Sequence, residues 1–388
     1  MAVTCAICRV PTVEVLNFGQ MPLANGYAEP THREPLSLHW CSHCDLYQLG
    51  SLVPSDTLFT DYAYRTGITR QSKVWRELES AVARRCDLPE RPFIVDVGGN
   101  DGTLLAQFAA SGRTLLNIDP YAPPEADALV RTITLPWNVE TAEHVQREWQ
   151  GTAHLILATN VWAHMPDLHG SAAAATTLLH EDGWLVVQAP WYRDLMLYGG
   201  WDTIYHEHAY YLGVQAMRRL FQRHQMDVHH VDYLPDVHGG SLRYWVRHGN
   251  DGINESVIAF EDIERGAALT PEKAKALYGR WNSHVRSLVK ALPKPLWAIG
   301  AAAKATMLLA MTEIAAHFDA ILDDTPQKIG RQFPGTPLKV EPLATADWSQ
   351  PATVLLTAWN HREALTKRLR LLGYHGPIYT PHSEIPHA

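Results

Sequence analysis

The sequence contains no apolar run of about 18 residues, no cluster of basic residues and only five cysteines among 388 residues. We therefore expect no membrane span, and because Met1 leads directly into the first cysteine pair we expect no secretory signal. The 33 Lys and Arg are outnumbered by 41 Asp and Glu, and this balance argues against a nucleic-acid partner. We predict a cytoplasmic protein of two or three domains that acts on a small molecule.

Four of the five cysteines form two close pairs, Cys5 with Cys8 and Cys41 with Cys44, and 32 residues separate the pairs. This spacing is typical of a Zn²⁺ ion held tetrahedrally by four thiolates. Two disulfides or four free thiols remain the alternative. Four thiolates leave no open coordination position, so the predicted zinc is structural, and it would organise a segment too short to bury much apolar surface.

Downstream of this module, short apolar runs alternate with helical patterns. The predicted strands are 93–97, 114–118, 155–158 and 184–188, with helices at 69–86, 103–110 and 171–179. After prolines at 293 and 295, a second alternating unit has predicted strands at 296–299, 320–322 and 354–357. The predicted fold class is α/β, with a small N-terminal zinc-binding module, a central doubly wound parallel sheet and a C-terminal Rossmann-like α/β domain.

The glycine-rich stretch 98–102 joins the first predicted strand to its helix. Glycines let the backbone approach a ligand closely, and the helix start offers unpaired N–H groups. The stretch lacks the G-x-G-x-x-G of dinucleotide enzymes, and Asp101 would repel a pyrophosphate. S-adenosylmethionine (SAM), which carries a sulfonium and an ammonium group, fits better, although a plain tight turn remains the alternative.

Two later strand ends support a SAM site. Asp119 ends the second predicted strand, where its carboxylate is placed for the ribose hydroxyls, and Asn160 ends a later strand that faces the same cleft. His164 follows four residues on, near the expected position of the reactive methyl group. The predicted cofactor-binding residues are Gly98, Asn100, Asp101, Leu105, Asp119, Pro120, Asn160 and His164.

The segment from Tyr205 to His208 places two imidazoles, a carboxylate and a phenol side by side. Its histidines are two residues apart, so they do not match the H-E-x-x-H zinc pattern and cannot share a helix face. On an extended segment they would share a face, so a metal site remains open, as does a surface loop without a role. Acid–base catalysis is favoured, because a neighbouring carboxylate or phenol can fix the tautomer of an imidazole base.

These pieces occur together in a recognisable order. The motifs are the two cysteine pairs, Pro22-Leu-Ala-Asn25, Tyr62-Ala-Tyr64, Gly98 to Leu105, Asn160 to Asp167, Tyr205 to His208, His238 to Arg243, and Gly300-Ala-Ala-Ala-Lys304. In this order the chain resembles the SAM-dependent C-methyltransferases that act on nucleotide-linked 4-keto-deoxysugars in antibiotic sugar pathways. We therefore predict a zinc-binding module with a lid segment at 1–68, a methyltransferase domain at 69–235 and a nucleotide-binding domain at 236–388.

The resemblance also implies roles for individual residues. His208 would be the general base that removes the C3 proton beside the C4 ketone of a TDP-4-keto-deoxysugar, and the enolate would then be methylated. Tyr205 and Glu207 would hold the sugar and the base, with His164 nearby, and Tyr64 would close over them. Lys304, at the start of a helix, would bind the phosphates of the nucleotide.

Two departures from that family keep an alternative open. The chain has Gln188-Ala-Pro190 where the family often has Glu-x-Pro, and the segment 191–201 is rich in aromatic residues. Both features would suit a flatter or less charged acceptor. The alternative function is therefore a SAM-dependent methyltransferase that modifies carbon, oxygen or nitrogen of a non-sugar natural product. A non-catalytic binding module is a second alternative.

Overall fold

The computed structural model describes residues 2–59, 72–110, 112–124, 129–249, 252, 254–350 and 352–382. The strands are β1 Val13–Pro22, β2 Arg33–Cys41, β3 Leu46–Leu49, β4 Phe93–Val97, β5 Thr114–Ile118, β6 Arg131–Ile133, β7 Ala153–Thr159, β8 Leu179–Pro190, β9 Tyr210–Tyr211, β10 Met226–Leu234, β11 Ser241–His248, β12 Leu296–Ile299, β13 Ala320–Leu322, β14 Val340–Glu341, β15 Thr353–Leu356 and β16 Ile378–Tyr379. The helices are α1 Ser55–Phe59, α2 Ser72–Arg85, α3 Thr103–Ala106, α4 Val139–Glu148, α5 Leu168–Leu178, α6 Tyr192–Leu197, α7 Val214–Gln222, α8 Glu255–Ala267, α9 Pro271–Ala291, α10 Ala303–Met311 and α11 Arg362–Leu371.

The N-terminal module is a four-stranded antiparallel sheet in the order β1-β2-β3-β9. Three of its strands come from the first 49 residues, and the fourth comes from the centre of the chain, where Tyr211 pairs with Tyr47. The backbone N–H of Leu49 extends this pairing by donating to the carbonyl of Ala209 at 2.9 Å. The module is therefore joined by backbone hydrogen bonds to the residues that directly follow His208.

The central sheet has seven strands in the order β10-β11-β8-β7-β4-β5-β6. Strands β4 to β8 run parallel, as the alternating apolar runs predicted, and β11 and β10 add an antiparallel edge. Strand β4 lies between β5 and β7, and all three run in the same direction. The residues that follow them therefore lie close together at the carboxyl-terminal end of the strands. The predicted boundary at 235–236 lies between the paired strands β10 and β11, so the central sheet continues past it.

The C-terminal domain is a five-stranded parallel sheet in the order β14-β13-β12-β15-β16. It packs against the N-terminal module, since the hydroxyl of Tyr27 donates to the carbonyl of Ala301 at 2.6 Å and that of Thr306 donates to the carbonyl of Ala24 at 3.0 Å. The predicted α/β class is thus confirmed for the whole chain. Within the described ranges, no helix is both long enough and apolar enough to span a bilayer.

Candidate active site

The four paired cysteines converge in the N-terminal module. Their Sγ atoms all lie within 4.8 Å of one another, and those of Cys8 and Cys41 are 3.5 Å apart. A tetrahedral zinc with bonds of about 2.3 Å needs sulfur separations of about 3.8 Å, so the donor set fits the ion. The backbone N–H groups of Ile7 and Cys44 donate to the sulfurs of Cys5 and Cys41 at 3.4 Å. None of the four is in a disulfide, and their convergence is what a shared zinc ion requires and what four unrelated thiols would not show.

The glycine-rich loop lies at the carboxyl end of β4, between Asp119 and Asn160. Gly98 has φ +67°, and a Cβ there would lie 2.4 Å from the Val161 side chain, so a larger residue would displace the segment after β7. The backbone N–H groups of Asn100 and Tyr121 each donate to one oxygen of Asp119, both at 2.8 Å. These bonds fix the carboxylate and leave acceptor capacity on both oxygens, as a ribose would require.

Asn160 directly follows β7 with φ +56°, and its side-chain oxygen is buried without a hydrogen-bond partner among the described residues. An orphaned acceptor beside a glycine loop fits a bound ligand that carries N–H groups. Both carboxylate oxygens of Asp96, within β4, are also buried and unbonded in the described part of the chain. Burial and the nearby Asp119 raise the pKa of Asp96 well above its usual value. Sequence reasoning missed Asp96 because it stands inside a strand that otherwise looks like plain core.

The other predicted cofactor residues occupy different environments. The Asp101 carboxylate accepts from the backbone N–H of Thr103, the first residue of α3, at 3.1 Å, and Gly102 between them is the N-cap residue of that helix. Leu105 is fully buried in an apolar cluster with Leu78 and Phe108, beneath the loop. Pro120 is exposed at the end of β5. The glycine-rich loop, Asp119 and Asn160 thus lie together at the carboxyl ends of the strands, whereas Leu105 is in the apolar core beneath the loop.

His208 is held as a neutral imidazole with a defined tautomer. Its Nδ1 is 2.9 Å from the carbonyl oxygen of Thr203, which can only accept, so Nδ1 carries the proton. Its Nε2 accepts from the hydroxyl of Tyr205 at 3.0 Å. Burial lowers the pKa of His208 well below its usual value, and the nearby His164 and Lys304 lower it further. At neutral pH, Nε2 is thus unprotonated, and the lone pair that accepts from the Tyr205 hydroxyl in this structure is the one that can take up a proton.

Glu207 lies next to this base and is 4% exposed. Both of its carboxylate oxygens accept from the side-chain amide of Asn25, at 2.8 and 3.0 Å. Burial raises the pKa of Glu207 to about 7, and the Asn25 hydrogen bonds counteract part of this rise. Asn25 belongs to the Pro22-Leu-Ala-Asn25 motif. Because 182 residues separate it from Glu207 in sequence, this contact could not be predicted from the sequence.

His164, which follows Asn160 by four residues, packs against His208. Its ring centroid is 4.8 Å from that of His208, in an edge-to-face arrangement. The two segments are fixed together because the backbone N–H of Ala209 donates to the carbonyl of Ala163 at 2.8 Å. Burial lowers the pKa of His164 to about 4, so this ring is also neutral near pH 7.

Phe59, the last residue of α1, stacks edge to face on His164, with ring centroids 6.0 Å apart. Tyr64 and the rest of the predicted lid lie outside the described residues. His206 turns away from His208, since its Nε2 is 3.2 Å from the backbone oxygen of Glu34. The two imidazoles of the Tyr205–His208 segment therefore have different backbone partners, which speaks against a shared metal ion.

Three of the four aromatic residues in the segment 191–201 are core residues. Trp191, Tyr192 and Trp201 are almost completely buried in the apolar core, and the indole N–H of Trp191 donates to Glu264 at 2.7 Å. Gln188 is buried as well, and its side-chain oxygen accepts from Arg243. These three aromatic residues therefore pack the core, whereas the half-buried Tyr198 lines a small cavity with Thr203, His238 and Trp359, so the flatter or less charged acceptor stays a prediction.

Comparison with known proteins accounts for nearly the whole chain. Residues 5–59 match the family described as "Putative zinc binding domain", residues 69–231 match "Methyltransferase domain", and residues 236–379 match "C-methyltransferase C-terminal domain". C-methyltransferase NovU of Streptomyces niveus is 27% identical over 378 residues, which cover 92% of this chain and 90% of NovU. The chain is a SAM-dependent C-methyltransferase. The predicted family resemblance, the SAM cofactor and the structural zinc are thereby confirmed.

Solved structures give more distant similarities. The 1,6-didemethyltoxoflavin-N1-methyltransferase of Burkholderia thailandensis is 14% identical with a TM-score of 0.38, and covers 55% of this C-methyltransferase and 96% of its own chain. The SAM-bound magnesium protoporphyrin IX methyltransferase of Synechocystis PCC 6803 is 14% identical with a TM-score of 0.37, covering 51% and 99%. At this distance they add nothing to the assignment.

Proposed function

We propose that this C-methyltransferase methylates a carbon next to a ketone, namely C3 of a TDP-4-keto-deoxysugar, and that it serves deoxysugar formation for antibiotic biosynthesis in the cytoplasm. The observation that carries the proposal is the neutral His208, whose protonated Nδ1 is bonded to the Thr203 carbonyl and whose Nε2 can accept a proton. The order of sequence motifs that resembles keto-sugar C-methyltransferases supports this substrate class.

In the proposed reaction, Nε2 of His208 takes the proton from the carbon beside the ketone. The electron pair of the broken C–H bond moves into the new C–C double bond, and the carbonyl electrons move onto the ketone oxygen. SAM would supply the electrophilic methyl group to the deprotonated carbon and would leave as S-adenosylhomocysteine, whose sulfur keeps the electron pair of the broken S–C bond. A well-placed base contributes roughly 10² to 10⁴ in rate, and holding the reacting atoms about 3–3.5 Å apart contributes further.

We propose roles for the other site residues from where they lie relative to His208 and the glycine-rich loop. Tyr205 and Glu207 flank the base and would hold the sugar, and His164 bridges the base to the cofactor edge. The loop from Gly98 with Asn100 and Asp101, together with Asp119, Pro120 and Asn160, would hold SAM, with Leu105 supporting the loop from the core. Tyr64 would close the cleft from the segment after α1.

Solvent isotope exchange tests the proposal. The protein is incubated with a TDP-4-keto-deoxysugar in D₂O, first without and then with SAM, and the sugar is analysed by mass spectrometry and NMR. We expect deuterium at C3, methylation at C3 once SAM is added, and loss of both in His208→Ala with SAM binding retained. His144→Gln, which changes an exposed histidine on α4, should behave as the wild type.

A specific result would contradict the proposed substrate. A folded protein that binds SAM but neither exchanges nor methylates the keto-sugar would contradict the proposed substrate. The search would then move to non-sugar acceptors.

A further inference from the structure

Lys304 carries a buried charge that the steps above do not use. It lies in the first turn of α10, and its Nζ is buried without a hydrogen-bond partner among the described residues. Its Nζ lies over the ring of Trp359, 4.3 Å from the ring centroid. A buried ammonium without hydrogen bonds is costly, so its position indicates a group that arrives with the substrate.

The surroundings of Lys304 lead directly to the catalytic base. Its Trp359 neighbour donates its indole N–H to Asp202 at 2.8 Å, and Asp202 is completely buried. The next residue, Thr203, supplies the carbonyl that fixes Nδ1 of His208. Helix α10 also packs against the turn Gly200–Thr203 that carries both of these residues. The ammonium and the base therefore belong to one packed cluster.

The electrostatic effects agree with this placement. Burial lowers the pKa of Lys304 to about 8, and the charge of Asp202 counteracts part of the fall. The charge of Lys304 contributes in turn to the low pKa of both His208 and His238. The Lys304 charge therefore acts on His208 as well as belonging to the same packed cluster.

We propose that Lys304 is a catalytic residue that stabilises the negative charge on the ketone oxygen when His208 removes the neighbouring proton. The inference rests on the proposed function, because it requires a ketone beside the reacting carbon. As the C–H bond breaks, its electron pair delocalises towards the oxygen, and the Lys304 ammonium donates a charge-assisted hydrogen bond to that oxygen. No atom is transferred to or from Lys304. Removal of one such donor typically costs about 10² to 10³ in rate.

This role differs from the phosphate contact that the family resemblance implied for Lys304. A diphosphate is large and strongly hydrated, whereas the Lys304 nitrogen is enclosed by protein and faces an aromatic ring. A single ketone oxygen beside the base matches a small enclosed site better. The two roles make different predictions, since a phosphate contact would strengthen nucleotide binding and an oxyanion contact would accelerate proton removal.

Three variants separate these roles: Lys304→Met, Lys304→Arg and the control Lys339→Met, which changes an exposed lysine of the same domain. The readouts are the rate of C3 deuterium exchange at saturating TDP-4-keto-deoxysugar, and the dissociation constants of TDP and SAM by calorimetry. We expect Lys304→Met to lose about 10² to 10³ in exchange rate with both affinities within about twofold of wild type. Lys304→Arg should recover part of the rate, and Lys339→Met should be unchanged.

One result would overturn the inference: exchange by Lys304→Met at the wild-type rate, at saturating substrate, would exclude an oxyanion role. If that variant also lost affinity for TDP, the phosphate contact would be the correct role. Absence of exchange in the wild type would contradict the proposed function together with this inference, whereas normal wild-type exchange with an equally active Lys304→Met contradicts this inference alone.

Discussion

Replacing Asn25 by alanine removes the amide that donates to both oxygens of the buried Glu207 carboxylate. A hydrogen bond to a charged group contributes about 1.5–3 kcal/mol, and one pKa unit corresponds to about 1.4 kcal/mol. The pKa of Glu207, about 7 in the wild type, should therefore rise by about 1 to 2 in Asn25→Ala.

The direction of the resulting pH dependence follows from proton binding. The folded-state pKa of Glu207 lies above the value of about 4.3 expected in the unfolded chain, so the folded protein binds more protons between these pH values. Its free energy of unfolding consequently falls as the pH rises towards 7, and in the Asn25→Ala variant this fall continues to about pH 8–9. The difference between variant and wild type should be about 1.5–3 kcal/mol larger at pH 9 than at pH 5.

Urea unfolding monitored by tryptophan fluorescence at pH 5, 7 and 9 measures this difference. Asn17→Ala, which removes an exposed asparagine of the same module, serves as the control and should show no pH-dependent change. A difference between Asn25→Ala and wild type that stays constant from pH 5 to 9 would refute the reasoning. It would mean that Asn25 affects stability by packing and not through the charge of Glu207.

Two further changes test the zinc and SAM sites. Cys41→Ser should release zinc, measured by elemental analysis, and should lower the thermal midpoint because β2 and β3 lose their metal anchor; retained zinc with an unchanged midpoint would contradict the site. Asp119→Ala should weaken SAM binding about tenfold or more in calorimetry, since it removes a fixed pair of acceptors beside the loop. The exposed Asp182→Ala is its control, and equal SAM affinities in both variants would place the ribose elsewhere.

The features that depend on short stretches of sequence were predicted from the sequence. The paired cysteines, the strands of the central sheet and the residues at their carboxyl ends follow from spacing and apolar periodicity, which act within short stretches of chain. Asp119 and Asn160 were predictable because neighbouring parallel strands end at the same edge. His208 was predicted as the base from residue chemistry, and that role stays a prediction, whereas its tautomer depends on the Thr203 carbonyl and was visible only in the folded structure.

The remaining features depend on contacts between distant parts of the chain. Nothing near Glu207 in sequence indicates that Asn25 is its partner, and nothing near Lys304 indicates that Trp359 covers its ammonium. The burial of Trp191, Tyr192 and Trp201 also depends on distant contacts, since residue type alone does not distinguish a buried aromatic ring from one that stacks on a ligand.

The zinc module is built into the active site and is not a separate appendage. Strand β3 pairs with β9 directly after His208, and the amide of Leu49 extends this pairing to Ala209. The same module supplies Asn25 to Glu207. Since only Asp45 separates Cys44 from β3, a zinc ion held by the four cysteines would fix the strand with which the segment after His208 pairs. A zinc ion bound by these cysteines would thus act on the position of His208 through backbone hydrogen bonds, because β3 is paired directly with the segment that follows His208.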